Sequence, residues 1–271
     1  MEIEPVVNRI TIYPVKSLDG VSLQSARIVN GCLLHDREYA MLDSEGNFIN
    51  GKSNALVHLL RSKVDFENKM ISFRHNSAAT WETFHLEEER NTIDNYLSEF
   101  FKIKTTLQKN TEGQFMDIPG IAGVTVLSAS SIETVAGWFN IDIEETRKRF
   151  RATIEITGVP AFWEDRLFAE EGTAIEFKIA ESTFVGISPR ARCVVPTRQP
   201  ETGEVTHAFP KIFAKHRKEN LPQWSSLDDY GHSYYLTVNC YIPPGESGKW
   251  ISVGDSVRII GKKSADQYAQ F

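Results

Sequence analysis

The sequence has few cysteines and no pattern that would make them act as a group. Only three of its 271 residues are cysteine, Cys32, Cys193 and Cys240. They form neither a CxxC pair nor the Cys/His spacing of a zinc site. An odd number of isolated cysteines also argues against a disulfide framework. Each cysteine therefore has to be judged alone.

The sequence also lacks an excess of positive charge and a long apolar run. Thirty Lys and Arg residues against 36 Asp and Glu give a formal charge of −6. This balance argues against a general nucleic-acid or anionic-membrane binder, so any anion binding must be local. The start, MEIEPVVNRI, is not a basic segment followed by an apolar stretch, and no run approaches the ~18 residues of a membrane span. We expect a cytoplasmic protein without a membrane span.

What the sequence does contain is many short segments rich in β-branched and aromatic residues. The first, Arg9 to Tyr13, stops at Pro14, and the turn-forming run Asp43 to Asn47 separates two others. Further strands are predicted in KVDFEN, MISFRH, ETFHLE, VTVLS, RATIEIT, AIEFKIA, STFVGIS, YYLTVNCYI and WISVGDSVRII. We therefore predict a mainly β fold with some helix (α+β), built from closed or nearly closed β-barrels.

The composition changes to Gly, Pro and polar residues in TEGQFMDIPGIAG, which predicts a domain boundary there. We place one domain at 1–118 and a second at 119–265. Helices are predicted over Thr92–Phe101, from about Ser131, after Asp142, and over Lys211–Lys218. Ser130 with Glu133, and Asp142 with Glu145, have the spacing of a capping box.

Cys193 stands in PRARCVVPTRQPETGEV, close to Arg190, Arg192 and Arg198. The thiolate is the nucleophile and metal ligand, and nearby cations stabilise it. Side chains alternate along a strand, however, so some of these arginines could point away from the Cys193 thiol. Most free cysteines are buried and inert, so local sequence leaves a functional and a structural role equally open.

Two other stretches could hold an anion. Lys16 and Ser17 follow the first strand, where an ammonium and a hydroxyl can hold a phosphate. Such pairs also occur by chance on surfaces. Arg37 is a third candidate cation, although its neighbour Asp36 could simply pair with it.

Five stretches in this order resemble the MOSC family: IYPVKSLDG, DREYAMLDSEGNFI, RFRATIEI, FWEDRLFAEEG and ARCVVPTRQPETGEV. They are most similar to its two-part members with a MOSC N-terminal β-barrel domain, the group that includes the mitochondrial amidoxime-reducing component. The similarity spans roughly residues 5 to 260. It implies a MOSC-type β-barrel packed against an N-terminal β-barrel domain.

The resemblance implies binding of the molybdenum cofactor, a molybdopterin with dithiolene sulfurs and a terminal phosphate. Pyridoxal phosphate binding is a further expectation at the level of the family. Cys193 matches the cysteine that ligates molybdenum and would be both metal ligand and catalytic residue. The cofactor-binding residues carried over by the resemblance are Lys16, Ser17, Arg37, Arg151, Arg192 and Asn239.

The chain departs from the family pattern beside several of these residues. Leu18 and Asp19 replace a common cysteine and lysine, which would subtract positive charge beside the predicted phosphate site. Ala152 and Thr153 stand where Pro-Asn is common, and Ala191 stands where a serine is often found. We expect these changes to alter the environment of the bound cofactor and the substrate pocket.

The resemblance implies an oxidoreductase that reduces N-hydroxylated small molecules with electrons from a separate flavin, haem or ferredoxin-type protein. His207 and Asp228 are candidate proton donors. A non-redox carrier of cofactor or sulfur on Cys193 is the alternative. A third reading is a thiol hydrolase with His207 or His216 as base.

Overall fold

A computed structural model describes residues 4–112, 114–118 and 123–268 of the chain. The described part is mainly β, with sixteen strands and four α-helices. The strands are β1 Val6–Ile12, β2 Val21–Leu23, β3 Ser25–Val29, β4 Cys32–Leu33, β5 Tyr39–Leu42, β6 Leu60–Asp65, β7 Met70–His75, β8 Glu82–His85, β9 Thr106–Lys109, β10 Val124–Ser128, β11 Ile154–Thr157, β12 Thr173–Ile179, β13 Ser182–Ala191, β14 Tyr235–Tyr241, β15 Trp250–Ser252 and β16 Val257–Ser264. The helices are α1 Arg90–Phe101, α2 Ala129–Phe139, α3 Ile143–Phe150 and α4 Phe209–Glu219.

The largest element is an eight-stranded sheet in the order β16-β12-β13-β14-β10-β11-β1-β2. Its pairs are antiparallel except β10 with β11, which are parallel. The predicted mainly β, α+β class is confirmed. Within the described ranges the named strands do not close a continuous barrel ladder. Strand β1 also meets the residues before β16, through the bridge between Val6 and Ser256 and through hydrogen bonds from the Val7 N–H to the Asp255 carbonyl and from the Gly254 N–H to the Val7 carbonyl, each at 2.8 Å.

A second group of strands carries its own hydrophobic core in the N-terminal part of the chain. It comprises the sheet β6-β7-β8, the pair β5-β9 and helix α1. Alternation along β6 and β7 buries Leu60, Ile71 and Phe73 on one face, and α1 contributes Ile93 and Leu97 to the same core. The opposite face of this sheet is left for polar side chains.

Helices α2, α3 and α4 pack together through a third cluster that includes Val135, Phe150, Phe209 and Phe213. The capping box predicted at Ser130 is wrong by two residues. Helix α2 begins at Ala129 because the Ser128 hydroxyl accepts the Ser131 N–H. Asp142 caps α3 as predicted, through the N–H groups of Glu144 and Glu145.

The predicted division into 1–118 and 119–265 stays a prediction, because the boundary residues 119–122 lie outside the described residues. Strands β1 and β2 belong to the first predicted domain, yet they extend the large sheet through the pairing of β1 with β11. None of the helices in the described ranges is both long enough and apolar enough to cross a bilayer.

Candidate functional site

A cleft with a volume of about 950 Å³ is lined by segments from both halves of the chain. The pairing of β1 with β11 brings these halves together, because the residues after β1 and those before β11 lie at the same edge of the sheet. The cleft contains all seven site residues predicted from the sequence: Lys16, Ser17, Arg37, Arg151, Arg192, Cys193 and Asn239.

The thiol of Cys193 is exposed in this cleft, whereas the other two thiols are buried. Cys193 follows the end of β13, and its Sγ accepts the Val195 N–H at 3.5 Å. Burial raises the pKa of Cys32 to about 12 and also raises the pKa of Cys240, so both stay protonated at neutral pH. Cys193 is therefore the one accessible sulfur donor among the three cysteines.

Asp117 joins Lys16 to the strand that leads to Cys193. The Lys16 Nζ donates to Asp117 Oδ1 and to the Phe115 carbonyl, each at 2.7 Å. The other carboxylate oxygen accepts from Arg190 at 2.7 Å, and Arg190 in turn donates to Asn239 Oδ1 at 2.9 Å. Burial of Asp117 would raise its pKa, but Lys16 and Arg190 outweigh burial and hold that pKa well below its usual range.

Tyr13 stands between two of the predicted arginines. The Arg151 guanidinium lies 4.0 Å from the Tyr13 ring centroid and that of Arg37 lies 5.3 Å from it. Arg37 forms an ion pair with the buried Asp36, whose other oxygen accepts the Tyr13 N–H at 2.7 Å. The Tyr13 hydroxyl donates to the Ala152 carbonyl at 3.3 Å. Tyr13 thus fixes both arginines, and Asp36 neutralises only Arg37.

Three of the predicted residues adopt left-handed backbone conformations. The φ angles are 75° at Ser17, 53° at Arg37 and 52° at Arg151. Residues other than glycine adopt this region at an energetic cost, and such residues cluster at functional sites. Arg151 does so as the C-cap of α3, where its N–H bonds to the Arg147 carbonyl at 2.8 Å.

Arg192 directly precedes Cys193 and also lines the cleft. Its guanidinium donates to the Phe150 carbonyl at 2.8 Å and lies 5.3 Å from the Phe150 ring centroid. Burial, with the like charge of Arg190, lowers the pKa of Arg192 to about 10, so the side chain remains a cation at neutral pH. Its Nε atom is buried and has no hydrogen-bond partner in the described part of the chain.

The cleft is strongly cationic although the whole chain is acidic. Fourteen Lys and Arg side chains line it against five Asp and Glu. Six of these cations have no carboxylate within 4 Å among residues 4–112, 114–118 and 123–268: Lys52, Lys63, Arg74, Arg151, Arg192 and Arg198. An uncompensated cluster of this kind attracts and holds an anion. We call this site the cationic cleft.

Asp117 is the site residue that sequence reasoning missed, because it lies in a turn-rich stretch without periodicity. Asp19, which we expect to subtract positive charge beside the predicted phosphate site, also lines the cleft. It forms an ion pair with Arg61 at 3.1 Å and accepts the Ser62 N–H at 2.9 Å, so the positive charge that it offsets is that of Arg61. The carboxylate on Lys16 is that of Asp117.

The candidate proton carriers do not lie in the cationic cleft. His207 and Asp228 are exposed and outside its lining. His216 is also outside the lining, because α4 stacks its ring on Trp138 at a centroid distance of 5.4 Å. His207 and Asp228 were predicted as proton donors, and His207 or His216 as a base. The structure corrects these predictions, because none of the three side chains lines the cleft that contains Cys193.

Within the described ranges, no three His, Cys, Asp or Glu side chains form a group that could hold a metal ion. Cys193 is accompanied in its cleft by cations and neutral polar groups instead.

Residues 4–139 match the family described as the MOSC N-terminal beta barrel domain. A molybdenum cofactor sulfurase of Caenorhabditis briggsae is 22% identical over 283 residues, covering 94% of this chain and 36% of that protein. The chain thus spans about a third of the length of that relative. The solved YUAD protein from Bacillus subtilis is 11% identical, with 94% and 95% of the two chains covered and a TM-score of 0.39. A similarity at that level carries no structural argument.

Replacing Asp117 by Asn should destabilise the protein, because Lys16 is left buried without a counter-ion. About a third of the Asp117 side chain is exposed, so we expect a loss of about 1–2 kcal/mol in the free energy of unfolding at pH 7. The depressed folded-state pKa of Asp117 adds stability above the unfolded pKa of about 4, and this is lost as the pH falls further. Urea unfolding at pH 7, 5 and 3 measures both effects.

The matched control is Glu133→Gln, which removes an exposed carboxylate from α2. Its unfolding curve should follow the wild type at every pH. A difference between wild type and Asp117→Asn that stays constant from pH 7 to pH 3 would contradict the assigned role of this ion pair.

Proposed function

We propose, from the premise that the chain belongs to the MOSC N-terminal beta barrel domain family, that its cationic cleft binds the molybdenum cofactor. The observation that carries this proposal is the accessible thiol of Cys193 in the same cleft as six predicted cofactor-binding residues. The similarity to a protein named molybdenum cofactor sulfurase supports the same cofactor.

The residues of the cleft fit such a ligand. A thiolate is a soft donor that suits molybdenum in a sulfur-rich environment. Arg151 and Arg192 have no carboxylate partner in the described residues, and the buried Arg192 Nε has no hydrogen-bond partner there. A volume of about 950 Å³ is at the upper end of the range for ligand sites. A large anionic ligand would satisfy the unpaired groups.

Each residue has a role that follows from its contacts. Cys193 would ligate the metal. Arg151 and the Ser17 hydroxyl would bind the phosphate and pterin end, since neither is committed to a carboxylate. Lys16 and Arg37 would add positive charge at this end of the site, where Asp117 and Asp36 hold them in place. Asn239 would act through Arg190, which it orients.

We propose further that the protein is an oxidoreductase acting on N-hydroxylated small molecules. The bound cofactor would supply two-electron redox chemistry at the metal. The overall conversion takes R–NH–OH, two electrons and two protons to R–NH2 and water, with cleavage of the N–O bond. The electrons would come from a separate flavin, haem or ferredoxin-type protein. A cytoplasmic location is part of this proposal.

Cys193→Ala should remove molybdenum from the protein. Purified from a host that makes the cofactor, the wild type should carry close to one molybdenum per chain, and the variant should lose most of it. Metal analysis of both proteins measures this. Cys32→Ala is the matched control, because it removes a buried thiol whose pKa is raised to about 12. Equal molybdenum in wild type and Cys193→Ala would contradict the assigned ligand.

Arg151→Gln should weaken cofactor retention with little effect on folding, since no carboxylate in the described part of the chain depends on Arg151. Loss of a charge-assisted hydrogen bond corresponds to ~1.5–3 kcal/mol of binding. Lys16→Ala and Arg37→Ala should weaken retention as well, and they should also destabilise the fold because Asp117 and Asp36 lose their partners.

Pterin fluorescence after gel filtration, read beside thermal unfolding, separates the two effects. Arg9→Gln is a suitable control, because this half-buried arginine is paired with Glu144 and is not among the residues assigned to the cofactor. Retention equal to the wild type in all three site variants would show that the phosphate end is held elsewhere.

The cofactor-loaded protein should reduce phenylhydroxylamine to aniline when a reduced viologen dye supplies electrons. Cys193→Ala and protein from a molybdenum-starved host should lose this activity. The measurement is dye oxidation together with aniline formation. Turnover driven by NADH with this polypeptide alone would contradict the proposed separate electron donor.

A non-redox carrier is the second candidate function. Its support is the exposed Cys193 thiol and the name of the C. briggsae relative, which is a sulfurase. Bound molybdenum without dye-driven turnover would favour the carrier. A persulfide on Cys193, detected by mass spectrometry, would identify sulfur as the cargo.

A further inference from the structure

Three cations share the polar face of the N-terminal sheet. Arg61 in β6 lies directly opposite Arg74 in β7, and Lys63 follows Arg61 by two residues on the same face. Trp81, just before β8, continues this row next to Arg74. All four side chains line the cationic cleft, and we call them the hairpin cluster.

Two arginines directly opposite each other on a ladder repel unless an anion lies between them. Arg61 has one carboxylate partner, Asp19, at 3.1 Å. Arg74 and Lys63 have none within 4 Å in the described residues. The Nε atoms of Arg61 and Arg74 are both buried without a hydrogen-bond partner in that part of the chain. A buried donor without a partner destabilises the folded protein, and a bound oxyanion would accept its hydrogen bond.

The remaining contacts of the cluster hold the cations in place without neutralising them. Lys63 Nζ lies 4.3 Å and the Arg74 guanidinium 4.8 Å from the Trp81 ring centroid. Arg74 donates to the Ala78 carbonyl at 2.8 Å, and Arg61 donates to the His58 carbonyl at 2.9 Å. These contacts preorganise the charges and leave them free to bind an anion.

The cluster is connected to the loop that follows Cys193. Arg61 also donates to the Pro200 carbonyl at 3.3 Å, and Asn76 donates to the Glu201 carbonyl. Residues 198–205 form a small hairpin closed by a bridge between Arg198 and Val205. The chain that carries the thiol therefore passes over the same side of the cleft as the cluster.

We infer that Arg61, Lys63 and Arg74 form a second anion-binding subsite that recognises a carboxylate or phosphate group on the substrate of the cleft. Its three cations stand on β6 and β7, and none of them is among the residues assigned to the cofactor. Its buried donors favour a small oxyanion inside the cleft over an extended acidic surface. The part of this inference that concerns substrates rests on the proposed function, and the binding of an anion does not.

The binding test uses inorganic phosphate and benzoate with the cofactor-loaded protein, followed by calorimetry. Phosphate should bind the wild type, and Arg74→Gln and Lys63→Gln should each weaken it about tenfold to a hundredfold. Lys63 is exposed, so its variant should fold normally. Lys262→Gln removes an exposed charge from β16 and should bind phosphate like the wild type.

Arg151→Gln separates this subsite from the cofactor site. Phosphate binding by the hairpin cluster should survive in it. Binding that disappears in Arg151→Gln but survives in Arg74→Gln and Lys63→Gln overturns the inference. A wild type that binds neither phosphate nor benzoate also overturns the inference. The cluster would then be a binding site for an acidic protein surface. Preference for benzoate identifies a carboxylated substrate, and preference for phosphate identifies a phosphorylated one.

The substrate test compares phenylhydroxylamine with 4-(hydroxyamino)benzoate, which differs from it by a carboxylate. The KM of the carboxylated compound should be about tenfold lower, and Arg74→Gln should abolish that difference. Equal KM values in the wild type overturn the substrate assignment. If neither compound is reduced, the proposed reductase fails, whereas the phosphate titration still decides whether the subsite exists.

Discussion

The antiparallel pairing of β1 with β11 is the constraint on which the rest of the cleft depends. Ile10 lies opposite Ile154, and the Thr11 N–H bonds to the Thr153 carbonyl at 2.8 Å. The segment after β1 carries Lys16 and Ser17, and the segment before β11 carries Arg151. One ladder therefore brings residues far apart in sequence to the same edge of the sheet. Tyr13 and Asp117 then fix the cations in place.

Local charge decides what this acidic chain can bind. Its formal charge of −6 would repel polyanions at long range, yet fourteen cations face one cleft. Several of them are neutralised by carboxylates within the cleft or just behind it. Among the cations without a carboxylate partner in the described residues, Arg192 directly precedes Cys193, whereas Lys63 and Arg74 stand on the hairpin of β6 and β7. The cofactor site and the anion subsite proposed above would therefore use different side chains of the same cleft.

The individual strands could be predicted from sequence because alternation of buried and exposed side chains is local. Strands β6, β7 and β8 and the cap at Asp142 follow from such patterns. The joining of β1 to a sheet of the second half could not, since nothing in a strand's sequence specifies a partner so distant. Asp117 was missed for a different reason, because it lies in a turn-rich stretch without periodicity.

The arginines around Cys193 show a second limit of sequence reasoning. Strict alternation would place Arg190 and Arg192 on one side and Cys193 on the other, yet all three line the cleft. Strand β13 has a register shift between Pro189 and Ala191 and ends at Ala191, so the alternation does not continue to Cys193. Such bulges change the direction of the side chains that follow, and the alternation of side chains in a sequence does not reveal them. The seven residues carried over from the family motifs nevertheless all line one cleft. Their roles are those proposed above.

The position of β1 also has a consequence for synthesis on the ribosome. Its pairing partner, β11, emerges about 140 residues later, which at ~5–20 residues per second is a delay of roughly seven to thirty seconds. Throughout that interval the apolar side chains of Val7, Ile10 and Ile12 have no sheet to cover them. Strand β1 therefore needs protection of its apolar side chains until β11 has been synthesised.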